Sequence, residues 1–431
     1  MHIIINVTVY GRNVVNMSKL VIEGGYPLCG VVEIQGSKNS ILPIMAATLV
    51  SDEECVIDNC PDISDTQTAI EILTVLGANV TRNGRCIIVD NTNANKFEIP
   101  DTLMRKMRSS IMFLGAILTR RKRALISFPG GCELGPRPID LHIAALLKMG
   151  VNINEKYGFL DCTCSTLKSS EITLSFPSVG ATENIMLAAV KAEGTTIINN
   201  PAKEPEIEDL QNFLNEMGAK ITGAGSNKMT IIGVNRLKGV HHCVIPDRIV
   251  AATYICAVAA TRGNALFKNV NPSHLTAILS FLQDAGCSVA SYDDMISIEC
   301  DKLNAVKVVR TMPYPGFPTD AQAPFMALMC LAQGSTVFIE TIFENRFKHV
   351  GELQRMGAKI TTEGRVAVTE GVANLFGASV EAGDLRGGAA LVVAGLAAKG
   401  KTIVCNAEHI DRGYENIEGQ LTELGARIYR E

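Results

Sequence analysis

The chain has 431 residues, 47% of them hydrophobic and 19% charged, with a formal net charge of −4. That balance belongs to a globular protein with room for two domains, and it excludes nucleic-acid binding through bulk basicity. No apolar run reaches the roughly 18 residues that span a bilayer, and the 13 cysteines lack C-x-x-C pairs, which points to a reducing, cytoplasmic setting where most thiols are buried small hydrophobes.

Residues 1–16 precede Met17 and show no cleavage-site pattern, so they read as an alternative-start or non-native extension. From there on the chain repeats itself. Leu76-Gly77-Ala78, Met149-Gly150-Val151, Met217-Gly218-Ala219, Ala285-Gly286-Cys287, Met356-Gly357-Ala358 and Leu424-Gly425-Ala426 recur about every 70 residues. Upstream of each, apolar residues stand at helical spacing, as Ile207, Leu210, Leu214 and Met217 do. The glycine then ends the helix in the left-handed conformation and a strand follows. A second marker runs in phase: Gly194, Gly263, Gly334 and Gly400 each feed a strand-like stretch. The spacing predicts six α/β modules, grouped three and three about a boundary near residue 245.

Taken in chain order, the candidate chemistry begins at Lys38. It follows Gln35-Gly36-Ser37 at a strand-to-helix junction, where backbone N–H groups and an ammonium make an anion site. Arg108, in Arg105-Lys106-Met107-Arg108, fits either an anion site or a solvated helix face. Pro129 to Pro138 holds three glycines and three prolines, which excludes helix or strand. Its Cys132, near Arg137 and a following helix, is placed either as an acidified, reactive thiol or as an ordinary surface one. Asp320 follows the proline-rich stretch Pro313 to Pro318 and reads as a helix N-cap or as a proton acceptor. Arg346 lies in a turn-like stretch. Arg386 and Arg412 are each expected to open a helix, an unfavourable place for a cation unless an anion intervenes. No P-loop, G-x-G-x-x-G, H-E-x-x-H or G-x-S-x-G is present. An anionic substrate handled without metal or nucleotide cofactor is the expectation.

These stretches together resemble the UDP-N-acetylglucosamine 1-carboxyvinyltransferases, the UDP-N-acetylglucosamine enolpyruvyl transferases of the EPSP synthase superfamily. The likeness rests on Gly36-Ser37-Lys38-Asn39, Pro129-Gly130-Gly131-Cys132, Arg137-Pro138-Ile139-Asp140-Leu141-His142 and Ser178-Val179-Gly180-Ala181-Thr182. It continues through Pro246-Asp247-Arg248, Phe317-Pro318-Thr319-Asp320, Phe343-Glu344-Asn345-Arg346-Phe347, Asp384-Leu385-Arg386 and His409 to Glu415. The sister family, the 5-enolpyruvylshikimate-3-phosphate synthases, lacks the Pro-Gly-Gly-Cys motif.

The resemblance implies an α/β fold, a two-domain inside-out α/β barrel of six βαβαββ repeats with the site in the cleft. It would place residues 17–37 with 246–431 in one domain and 38–245 in the other. It implies transfer of the enolpyruvyl group of phosphoenolpyruvate to the 3′-hydroxyl of UDP-N-acetylglucosamine, the first committed step of peptidoglycan synthesis. Cys132 would be the acid and the site of a covalent phosphoenolpyruvate adduct, open to alkylation by the epoxide fosfomycin. Asp320 would be the base, while Lys38, Arg137 and Arg412, with Arg346 and Arg386, cradle the anions. Asn39, Arg108, the run Arg137, Pro138, Ile139, Asp140 and Leu141, together with Asp320 and Ile342, would contact the nucleotide sugar. The family implies no cofactor, two small-molecule substrates, no nucleic-acid or membrane partner, and a monomer or weak homo-oligomer. Phe176, Val250 and Met112 depart from the residues that members of the family often carry.

Overall fold

The computed structural model describes residues 18–130 and 139–431. The proposed extension 1–16 and the calls on Cys132, Arg137 and Pro138 lie outside the described residues.

One module shows how the sequence builds the rest. Strand Glu171–Thr173 runs parallel to Thr195–Asn199, with helix Val179–Ala189 between them. Helix Pro205–Glu216 follows, opened by Pro205 at its first turn, and a hairpin of Lys220–Thr222 and Lys228–Ile232 returns antiparallel to Thr195–Asn199. Ile198, Ile221, Met229 and Ile231 point into the core while their neighbours face outward. That alternation is the mark of a sheet with one wet face.

The described residues form five four-stranded sheets and one of three strands. In the three-stranded sheet the missing strand is reduced to a single bridge, Glu98 to Leu125. Pro100 follows and helix Asp101–Met104 begins at once, so the strand cannot extend. All six module glycines, from Gly77 to Gly425, adopt φ between 85° and 103°, as the pattern predicts. The second marker holds at all four glycines, each of which leads into a strand, but at Gly263 it is Arg262 that takes the left-handed turn, at φ 58°. Gly263 is needed for space instead: a Cβ there would sit 2.0 Å from the Leu28 carbonyl oxygen.

The sheets lie outside and helices fill the centre. All 13 residues of helix Arg248–Ala260 are buried, and it packs on Thr319–Met329 and Leu385–Ala397, which also pack on each other. A helix apolar on every side has no other stable place. Lys38–Thr48, Phe113–Arg121 and Val179–Ala189 form the corresponding centre of a second core.

The two cores are separate. One gathers side chains from Leu20 to Ile34 and from Val250 to Ile428, the other from Ile41 to Val244. Strand Leu20–Gly24 lies between Gly400–Cys405 and Arg427–Arg430, and Cys29–Glu33 pairs in parallel with Asn264–Lys268. The chain crosses between cores twice, side by side: Ser37 N donates to Ile245 O at 2.8 Å and Asp247 N to Gln35 O at 2.9 Å. Among the described residues no helix is long and apolar enough to cross a membrane.

Candidate active site

The double crossing is where the predicted residues begin to gather. Lys38 is the first residue of helix Lys38–Thr48, and its backbone N–H donates to Asp247 Oδ2 at 3.0 Å. Asp247 Oδ1 in turn accepts from Ile249 and Val250 N–H, at 2.8 and 3.0 Å. One carboxylate thus caps an inner helix of each core. The backbone anion site expected at Lys38 is therefore narrowed, because Asp247 already holds the helix's first N–H and the ammonium is the part left to act.

That ammonium meets Asp65 Oδ2 at 2.9 Å. Arg412 grips the same carboxylate with Nε at 3.0 Å from Oδ1 and Nη2 at 3.2 Å from Oδ2. Burial lowers the pKa of Lys38; Asp65 opposes this, and the charges of Arg412 and Arg386 lower it further. Burial would raise the Asp65 carboxyl, but Lys38 and Arg412 outweigh it and hold the group below the usual range.

A second carboxylate gathers the other arginines. Asp320 Oδ1 accepts from Arg346 Nη2 at 3.0 Å and Oδ2 from Arg386 Nη2 at 3.2 Å. The N-cap of helix Thr319–Met329 is Pro318, without a side-chain cap, so the N-cap reading of Asp320 does not hold. Arg346 also donates to Thr319 O at 3.0 and 3.2 Å, which fixes its fork. Arg386 Nη1 reaches the Tyr414 hydroxyl at 3.2 Å, and that hydroxyl meets Thr253 Oγ1 at 2.8 Å. Burial would lower the Arg386 pKa, but Tyr414, Asp320 and Asp247 together raise it, so its charge is secure.

The turn carrying Arg412 is pinned from both cores. Gln35 Nε2 donates to Gly413 O at 3.2 Å and Gln35 Oε1 accepts from Glu415 N at 2.7 Å. From the other core Ser64 N donates to Asp411 O at 3.0 Å, and Arg85 Nη2 meets Glu415 Oε2 at 3.0 Å.

Of the predicted residues, Lys38, Asp320, Arg346, Arg386 and Arg412 come together. Asn39 is half-buried beside Lys38, and Ile342 lies in the turn before Arg346, with its N–H on Glu340 Oε1 at 2.7 Å. Arg108, Ile139, Asp140 and Leu141 flank residues 131–138: Arg108 Nη1 donates to Pro129 O at 3.4 Å, and helix Asp140–Lys148 starts after Ile139. Of the three departures, Met112 and Val250 are buried, and Phe176 stands exposed just before Ser178.

One expectation is corrected. Arg386 does open helix Leu385–Ala397, behind the Asp384 cap, but Arg412 does not open one. It sits in a turn between Ala407–His409 and Ile417–Glu423, because Asn416, at φ 46°, caps the latter helix through Gly419 N–H. Sequence reasoning also missed Asp65. An aspartate in the first turn of helix Ser64–Leu76 looks like an ordinary partner of the helix dipole. Among the described residues no three His, Cys, Asp or Glu side chains are placed to hold a metal ion.

Comparison with known proteins bears on this arrangement. The family described as EPSP synthase (3-phosphoshikimate 1-carboxyvinyltransferase) matches residues 22–421. The chain is 54% identical, over 96% of its length and 100% of the relative's, to UDP-N-acetylglucosamine 1-carboxyvinyltransferase 2 of Caldanaerobacter subterraneus subsp. tengcongensis. It is 48% identical to UDP-N-acetylglucosamine 1-carboxyvinyltransferase 1 of Carboxydothermus hydrogenoformans, over 96% of this chain and 98% of that one. Among solved structures, the enolpyruvyl transferase NikO from Streptomyces tendae superposes with a TM-score of 0.87 at 26% identity, covering 96% and 99% of the two chains. EPSP synthase from Acinetobacter baumannii shares the fold, with a TM-score of 0.74 at 17% identity over 96% and 100% of the chains.

Proposed function

Because the chain belongs to the EPSP synthase family, within its UDP-N-acetylglucosamine 1-carboxyvinyltransferase group, we propose that it moves the enolpyruvyl group of phosphoenolpyruvate onto the 3′-hydroxyl of UDP-N-acetylglucosamine. Phosphate is released, and the product enters peptidoglycan synthesis at its first committed step. One observation carries this reading: Asp65 and Asp320 gather Lys38, Arg412, Arg346 and Arg386 at the crossing between the cores.

The chemistry assigns the roles. Phosphoenolpyruvate brings a phosphate and a carboxylate, and forked guanidiniums match both. Lys38 and Arg412, with Arg137, take the phosphate and carboxylate, assisted by Arg346 and Arg386. Arg386 Nε is buried without an acceptor among the described residues, a cost that an anionic ligand would relieve. Asp320 accepts the proton of the sugar hydroxyl as its oxygen bonds to C2 of phosphoenolpyruvate, while Cys132 delivers a proton to C3. Loss of a C3 proton and cleavage of the C2–O bond then expel phosphate. Asn39, Arg108, Pro138, Ile139, Asp140, Leu141 and Ile342 line the nucleotide-sugar side. Each core then belongs to one domain, residues 17–37 with 246–431 and residues 38–245, and substrates close the cleft between them. The protein works in the cytoplasm as a monomer or weak homo-oligomer.

The test is phosphate release from phosphoenolpyruvate with either acceptor. Release with UDP-N-acetylglucosamine and not with shikimate 3-phosphate is expected. The reverse result would move the chain to the sister reaction, and no release with either would overturn the proposal.

A further inference from the structure

Away from the cleft, two thiols face each other at the edge of one sheet. Strand Ser288–Ser291 is the outer strand of the sheet that continues through Met295–Glu299, Asn264–Lys268 and Cys29–Glu33. Ser288 pairs with Glu299, so the same antiparallel register sets Cys287 opposite Cys300. Tyr292 N donates to Met295 O at 2.9 Å, which makes that couple a hydrogen-bonded pair. Such pairs alternate along a ladder, so Ser288 with Glu299 is hydrogen-bonded and Cys287 with Cys300 is not. Their N–H groups agree: Cys300 donates to Gly263 O at 3.1 Å on its other neighbour, and Cys287 to Leu282 O at 2.9 Å.

This position suits a covalent link. Opposed residues in a non-hydrogen-bonded pair have Cα atoms about 4.5 Å apart, inside the roughly 4.4–6.8 Å that a disulfide spans. Both side chains are buried, with Ile296 and Ile298 on the same face of the sheet. Arg262 aims Nη1 at Cys300 Sγ from 3.7 Å, while its Nη2 is held by Leu331 O at 3.2 Å. The Cys300 Sγ lies 3.6 Å from Lys302 O. The neighbouring Cys287 thiol, helped by Arg262, holds the Cys300 thiol down at about 7, whereas Cys300 and burial push Cys287 up. The other buried thiols differ: burial alone raises Cys256.

We propose that Cys287 and Cys300 form a reactive dithiol that low-molecular-weight disulfides oxidise to a cross-strand disulfide. The Cys300 thiolate attacks one sulfur of the small disulfide, whose S–S bond breaks and expels a thiolate. Cys287 then loses its proton and attacks the Cys300 sulfur, expelling the second thiolate. Two protein thiols are oxidised by two electrons, one small disulfide becomes two thiols, and the two protein protons end on those thiols. Entry is through the four-residue outer strand, three of whose residues are exposed, since short edge strands open more readily than interior ones. In a reducing compartment the pair rests as thiols.

The test incubates the reduced, full-length protein with glutathione disulfide, then alkylates free thiols after unfolding and maps the peptides. The expected product lacks two hydrogens, leaves Cys287 and Cys300 unalkylated, and yields two joined chains when cut at Asp293 or Asp294. Cys287→Ser should trap glutathione on Cys300, and Cys300→Ser should leave Cys287 free. Alkylation of both thiols after exposure, or a link from either one to Cys256, would overturn the proposal. So would a Cys287→Ser protein that folds normally by circular dichroism yet takes up no glutathione at Cys300.

Discussion

Arg386 holds Asp320 by one carboxylate oxygen at 3.2 Å while Arg346 holds the other at 3.0 Å. The proposed base is thus oriented by two guanidiniums, each fixed elsewhere, Arg386 by Tyr414 and Arg346 by Thr319 O. Asp320→Asn keeps the shape and removes the proton acceptor. A general base contributes typically 10²–10⁴-fold, so turnover should fall by about that factor with the circular dichroism spectrum unchanged. Near-normal phosphate release from the variant would remove Asp320 from the role.

Asp65 predicts a pH effect. Burial, Arg412 and Arg386 all lower the Lys38 pKa, and Asp65 is the largest influence raising it. In Asp65→Asn the ammonium should lose its proton at lower pH still, so the alkaline limb of kcat/KM moves downward. Breaking a buried ion pair on one side should also cost about 3–5 kcal/mol of stability, read from denaturant unfolding. An alkaline limb that stays in place would show that Lys38 does not depend on this carboxylate.

The fold was legible because each module repeats one physical sentence: an amphipathic helix, a left-handed glycine, a hairpin. At Gly263 the period holds but its physical reason differs: the residue serves close packing against Leu28, and spacing cannot distinguish that from a left-handed turn. The cations of the site were legible as types in odd places. Their gathering was not, because it depends on Asp65 and Asp320 bridging residues as far apart in sequence as Lys38 and Arg412. A carboxylate in a first helical turn has a sufficient local reason to be there, and only the fold shows that it has a distant one.

Cys132, outside the described residues, is testable by chemistry alone. Fosfomycin should add its mass to the peptide carrying Cys132, with phosphoenolpyruvate turnover lost in parallel, and Cys132→Ser should abolish the adduct. An adduct on another cysteine would reassign the reactive thiol.

Glu183 carries a pH-dependent stability term. It is buried in helix Val179–Ala189, and burial raises its carboxyl well above the usual range, with Glu206 and Glu204 adding to the rise. A raised folded pKa contributes stability below the unfolded value, and that stability is lost as pH climbs through the folded value. Glu183→Gln should therefore flatten the decline in stability that sets in above the ordinary carboxylate range, and should exceed the parent at the alkaline end. Parallel unfolding profiles for the two proteins would refute this.

The last prediction concerns Arg430, one residue from the C-terminus. Its guanidinium forks onto Asp411 at 2.7 and 3.0 Å and onto Glu418 at 2.7 and 3.1 Å, and it reaches Ser18 Oγ at 2.7 Å. Asp411 precedes Arg412, so this one side chain sets the base of the turn that delivers Arg412 to Asp65. Lysine cannot reproduce so many planar contacts, although it keeps the charge. Arg430→Lys should leave Arg412 present but poorly aimed. The KM for phosphoenolpyruvate should then rise roughly tenfold, about 1.4 kcal/mol of binding, with kcat little changed. A purely structural role would lower the unfolding midpoint and leave KM alone. Measuring both in the same preparation separates the two, because a turn that only stabilises the fold has no reason to weaken one substrate selectively.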